Sequence, residues 1–191
     1  ALFVIFFVSS ALLYLYATAL KQMLLIGNII VSVVVALAIL TVGIFELFPV
    51  MNTQNKGVQI LFLNIIRDYA IFSFLISLVR EIIKDIEDID GDYKAGMQTL
   101  PIVIGRKRAN GGSFVLAFLT TLGIIYYVLK YLFTQKIVLI YFLLFVIAPL
   151  IYICIKIFNA EQKSHYTHIS LMLKVVMFTG VISIVLYRFV I

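Results

Sequence analysis

REIIKDIEDIDGDYKAGMQTLP, residues 80–101, gathers Glu81, Asp85, Glu87, Asp88, Asp90 and Asp92 into one segment. The whole chain has nine acidic residues, and six of them are here. The residues just before it, 59–83, form a long run of mostly apolar side chains. A hydrocarbon run that ends in carboxylates reads as a membrane helix emerging into water. Like charges crowded at such an end repel, so they must hold protons or find a cation.

The rest of the chain agrees. Of 191 residues 64% are hydrophobic and only 13% charged, whereas a soluble domain is about half apolar and about a quarter charged. The apolar residues come in continuous runs of bilayer-spanning length, which excludes the alternating pattern of a membrane β-barrel. The fold class is all-α, a polytopic membrane helical bundle, and residues 1–191 read as a single integral-membrane domain. Six spans are expected, at about 2–20, 24–48, 59–83, 111–130, 137–157 and 169–190. The chain starts at Ala1 inside an apolar run, with no basic stretch before it and no small-residue cleavage site after it. That start does not fit a secretory signal and reads as the later part of a longer protein. Cys154 stands alone and reads as a small core residue.

Basic residues set the expected orientation. Lys21, Arg80, Lys84, Lys94, Arg106, Lys107, Arg108, Lys156 and Lys163 fall at one face of the bundle, and Lys56, Lys130, Lys136 and Arg188 at the other. Positive residues favour the cytoplasm, so the acidic connection, residues 84–110, is expected there, with a bacterial inner membrane as the host. The formal charge of +6 then reflects topology and contact with membrane lipids, not nucleic-acid binding.

On a helix continuing from the third span, Glu81, Asp85, Asp88 and Asp92 share one stripe, and Asp85, Asp88 and Asp92 spell DxxDxxxD. Ile82, Ile86 and Ile89 flank it. Gly91 would loosen the helix near its end and put Asp92 on a turn. The stripe suits Mg²⁺, a hard cation commonly shared between carboxylates and substrate phosphates. An EF-hand loop is a poorer match, because its ligand order is missing. The competing reading is a solvated helix end with local pairing, such as Lys84 with Asp88 and Arg80 with Glu81. At the same level sit Tyr16, Lys21 and Asn28, from YATALKQMLLIGN, residues 16–28. Lys21 either snorkels to the headgroups or meets a phosphate beside the metal. Tyr16 can add a phenol hydrogen bond, and Asn28, inside a span, is expected to face the bundle.

These motifs carry a resemblance. REIIKDIEDIDGDYKAGMQTLPIVIGRKRA, residues 80–109, resembles the second aspartate-rich motif of the UbiA-type intramembrane prenyltransferases. YATALKQMLLIGN resembles that family's Tyr-xxx-Leu-Lys element followed by Gly-Asn. The wording around the motif is most similar to the branch that makes digeranylgeranylglyceryl phosphate-type ether lipids. The resemblance implies nine spans and two aspartate-rich motifs. The first motif, of the NDxxD kind, is absent here, so the chain corresponds to spans four to nine and is expected to be inactive alone. It also implies a prenyltransferase using Mg²⁺, with a prenyl diphosphate, geranylgeranyl diphosphate for this branch, as donor. The acceptor is a prenylated glycerol phosphate or, alternatively, an aromatic ring of quinone biosynthesis. Asp85, Asp88 and Asp92 then match the metal carboxylates and catalytic centre, Tyr16 and Lys21 the diphosphate-binding pair, and Arg80 and Lys84 the basic residues flanking the motif, with Asn28 beside the pair.

Other polar residues read more plainly. Arg67 and Asp68 lie toward the opposite end of their span, where snorkelling or local pairing suffices. Glu46 beside Pro49 reads as interfacial. Glu161, His165 and His168 have a spacing that one helical face allows, but they sit in a polar connection, 158–168, and are set aside as zinc ligands. Thr99-Leu100-Pro101 reads as an extended segment before a turn. A function of another class, a cation-coupled transporter, would place polar groups near the midplane; here the strong polar groups sit at span ends.

Overall fold

The computed structural model describes residues 3–18, 20 and 23–189. The chain divides into two packed units, residues 1–78 and 79–191.

In the first unit, α1 (Phe3–Thr18) and α2 (Ile26–Leu47) are apolar on all sides, as helices facing lipid are. Phe3 and Phe6 meet the ring of Phe45 edge-on, with centroids 6.4 and 5.3 Å apart. Asn28 is buried near the start of α2, and Ser32 Oγ donates to its carbonyl at 2.7 Å. A polar turn then reverses the chain. Asn52 Oδ1 accepts the N–H groups of Gln54 and Asn55, both at 3.0 Å, while Asn55 Oδ1 accepts that of Asn52 at 2.7 Å. This pair of Asn turns launches α3 (Lys56–Glu87). Gly43 lets α2 and α3 approach closely: a Cβ there would fall 2.5 Å from Ile66 Cδ1. Further along α3, Arg67 pairs with its neighbour Asp68 at 2.8 Å and with Asn64 at 3.2 Å, the local pairing expected.

The second unit begins on the last turns of α3. Val79, Ile82, Ile83 and Ile86 are all buried, a helical apolar face that packs inward. The helix is interrupted at Asp88 (φ −99°, ψ 9°), not at Gly91, and α4 (Ile89–Lys94) follows at once. So Asp92 lies on a separate short helix and not on a loosened turn. Gly96 (φ 69°) closes α4: its N–H bonds to Tyr93 O at 3.1 Å and that of Met97 to Asp92 O at 3.0 Å. That is a Schellman ending, which needs a left-handed residue. Thr99 is extended (ψ 160°), but Leu100 and Pro101 open a short helix, α5 (Leu100–Ile104). Pro fits a first helical turn, where its missing N–H would be unpaired anyway.

Then α6 (Arg106–Tyr131) packs on α8 (Ala148–Phe158). Asn110 Nδ2 donates to Ile157 O at 2.9 Å, and Thr121 Oγ1 lies 3.7 Å from the buried sulfur of Cys154. Between α7 (Lys136–Phe142) and α8 the chain makes a π turn, Leu143–Ile147, just before Pro149. Last comes α9 (Lys163–Ile182), which tightens into 3₁₀ geometry over Ser183–Phe189.

Two expectations need correction. Among the described residues five helices, not six, are long and apolar enough to span a bilayer. The remaining apolar helix is α1, of which 16 residues are described. The connection placed at 158–168 is also shorter, because α9 starts at Lys163. Its first turns are polar but amphipathic: Tyr166, Ile169, Ser170, Leu173 and Val176 are buried at helical spacing. Hydropathy alone hides such a start; periodicity shows it.

Candidate functional site

The end of α3 carries three faces. Val79, Ile82, Ile83 and Ile86 take one into the core. The acidic stripe of Glu81, Asp85 and Asp88 takes the second. Arg80, Lys84 and Glu87 take the third, about 100° round the helix from the stripe. Three chemistries on one helix end follow directly from the order RE-II-KD-I-ED.

The third face lines a cleft of about 500 Å³ whose other wall is α9, through Ser164, Thr167, His168, Ser170, Leu171 and Lys174. Thr167 Oγ1 donates to Glu87 Oε1 at 2.7 Å. Lys163 Nζ lies 3.4 Å from Asp88 Oδ1 in an exposed pair. Arg80 is paired with Glu81, yet its Nε is buried with no hydrogen-bond partner among the described residues. Tyr152 OH and His168 Nε2 are 3.1 Å apart, and His165 Nδ1 accepts the Glu161 N–H at 3.4 Å. Both histidines are therefore engaged in local hydrogen bonds.

The second unit holds Asp85, Asp88, Asp92, Arg80 and Lys84. Asp85, Asp88 and Asp92 are each half-buried. The pairing expected of Lys84 with Asp88 is replaced by Lys163 with Asp88. Tyr16, half-buried on α1, and Asn28 belong to the first unit. Lys21 lies outside the described residues. Among the described residues no three His, Cys, Asp or Glu side chains gather closely enough to enclose a metal by themselves. The donor set still fits Mg²⁺, which usually takes one or two carboxylates and completes its shell with water and substrate phosphate.

Ser164, Thr167 and Lys174 line the cleft although no sequence motif marks them. For Lys174 a signal exists: a cation inside an apolar span is a functional candidate by default. Thr167 and Ser164 gave none, because they sit in the polar stretch read as a connection.

Apolar helices of spanning length, with carboxylates and cations concentrated at one helix end, define a helical integral membrane protein. The chain belongs to the UbiA prenyltransferase family, whose family model matches residues 1–188. It is similar to the digeranylgeranylglyceryl phosphate synthase of Thermococcus gammatolerans, 39% identical over 106 residues that make up 56% of this chain and 32% of that protein. The protein of the same name from Thermococcus kodakarensis is 37% identical over 121 residues, 63% of this chain and 39% of the relative. That from Pyrococcus abyssi is 38% identical over 112 residues, 59% and 35% respectively. The chain thus spans about a third of the length of the curated relatives it matches. No solved structure matches it. Membership of this family sets the transporter reading aside.

Proposed function

We propose that this chain is the later part of a single-domain enzyme that moves a geranylgeranyl group from its diphosphate onto a prenylated glycerol phosphate. The observation that carries the proposal is the six-carboxylate segment at the end of α3, in a chain that matches the prenyltransferase family over nearly its whole length. The names of the relatives favour a glycerol phosphate lipid over an aromatic acceptor. Their sources are archaeal, so the host membrane need not be a bacterial one.

The reaction breaks the C1–O bond of the donor, and the electron pair leaves with diphosphate. The acceptor hydroxyl oxygen then bonds to C1 and loses its proton. The barrier lies in charge separation within a medium of low dielectric constant. Asp85, Asp88 and Asp92 would hold Mg²⁺, which when bound neutralises charge on a departing diphosphate. As the family resemblance implies, Lys21 would supply an ammonium and Tyr16 a phenol hydrogen bond to a diphosphate. Asn28, buried near the start of α2, would stand beside that pair, as the resemblance implies. Lipid-embedded helices keep water from the allylic cation.

The test uses the full-length protein with radiolabelled geranylgeranyl diphosphate, offering geranylgeranylglyceryl phosphate or 4-hydroxybenzoate, with Mg²⁺ or with EDTA. Labelled lipid should form only with the phosphate acceptor and Mg²⁺, and Asp85→Ala should lower kcat/KM by about 100-fold or more. Transfer to the aromatic acceptor alone would move the enzyme to the quinone branch. Near-normal turnover by Asp85→Ala would remove that carboxylate from the metal site.

A further inference from the structure

The cleft between α3 and α9 has a charge distribution that the acidic stripe does not explain. Glu87 and Thr167 meet across it, and Asp88 lies beside Lys163. Arg80, Lys84 and Glu87 of α3 line one wall, and Lys174 of α9 lines the other. Seven residues back from Glu87 is Arg80; seven residues forward from Thr167 is Lys174. Each step covers about 10 Å, and both cations line the cleft. Lys84 lies between them and Glu87.

Three cations and one carboxylate therefore line this space. Neither Lys84 nor Lys174 forms an ion pair among the described residues, and Arg80 keeps a buried N–H unpartnered. An ammonium within an apolar span is costly unless an anion answers it.

We propose that Lys174, with Arg80 on the facing wall, recognises the phosphomonoester of a lipid acceptor and so selects alkylated glycerol phosphates over uncharged acceptors. This rests on the proposed prenyl transfer and adds the residue that chooses the acceptor. A phosphomonoester carries nearly two negative charges at neutral pH and three strong acceptor oxygens. Lys174 offers three donors, Arg80 its orphan Nε–H, and Thr167 and Ser170 their hydroxyls. Leu171 gives the attached alkyl chain an apolar exit on the same wall. Because the basic face adjoins the acidic stripe on α3, the acceptor phosphate and the donor diphosphate occupy neighbouring faces of one helix.

The experiment measures equilibrium binding to the purified full-length protein, independently of turnover. The probes are geranylgeranylglyceryl phosphate, its dephosphorylated alcohol, geranylgeranyl diphosphate and phosphatidylglycerol. The wild type should prefer the phosphate over the alcohol by about 10-fold or more, the scale of charge-assisted hydrogen bonds. Lys174→Gln should erase that preference, Lys174→Arg should restore most of it, and affinity for geranylgeranyl diphosphate should stay unchanged. Lys174→Met, which keeps the stem and suits an apolar span, serves if Lys174→Gln does not fold. The proposal is overturned if the preference survives both substitutions, or if geranylgeranyl diphosphate binding falls instead. It is equally overturned if phosphatidylglycerol competes as well as the phosphomonoester, or if the wild type ignores the phosphate. Phosphate-dependent binding without any prenyl transfer would overturn the proposed activity and leave this site standing.

Discussion

Thr179 on α9 holds together the least regular part of the bundle. Pro149 has no N–H, so the carbonyl four residues earlier, that of Phe145, loses its helical partner. Thr179 Oγ1 supplies one at 2.8 Å, and Tyr141 OH returns a bond to Thr179 O at 2.9 Å. In hydrocarbon there is no water to replace these bonds. Thr179→Val should therefore cost about 1–3 kcal/mol, read as a lower thermal midpoint of the full-length protein in detergent, with Thr179→Ser recovering most of it. An unchanged midpoint would mean that the Phe145 carbonyl finds another donor. The exposed Lys163–Asp88 pair is the contrast: solvent screens it, and Lys163→Ala should leave the midpoint where it was, since such pairs contribute under about 1 kcal/mol.

Among elements, the segment from Asp88 to Arg106 shows how far local rules carry. Gly96 and Gly105 are the two residues at positive φ in it, at 69° and 89°. Gly105 (ψ 147°) joins α5 to α6 in a region that side-chain-bearing residues scarcely enter. Gly105→Ala has open space for its Cβ, so any loss comes from the backbone alone, about 1–3 kcal/mol. A thermal midpoint that does not move would show that α5 and α6 can be joined another way. Both glycines sit at turns that their lack of a Cβ permits. The start of α9 does not announce itself, because Lys163, Ser164, His165, Thr167 and His168 are polar and only the spacing of Tyr166, Ile169 and Leu173 reveals a helix.

For the whole molecule, the distribution of Lys and Arg makes an orientation testable. Tyr93, on α4, is 74% exposed, whereas Cys154 is buried. A Tyr93→Cys protein stripped of other reactive thiols should react with a membrane-impermeant maleimide in inverted vesicles and not in intact cells. Labelling in intact cells would put the acidic connection on the outside and reverse the assignment.

Sequence by itself determined that this chain is a helical membrane protein, that its acidic residues crowd one helix end, and which family it joins. Those properties are local: hydrophobic run length and residue order need no knowledge of neighbours. Tertiary structure alone decided that α9 faces Arg80, Lys84 and Glu87, and that Lys174 lines the same cleft as Arg80. That meeting joins residues 94 positions apart, and it follows from how helices distant in sequence bury their apolar faces, which no window of sequence contains.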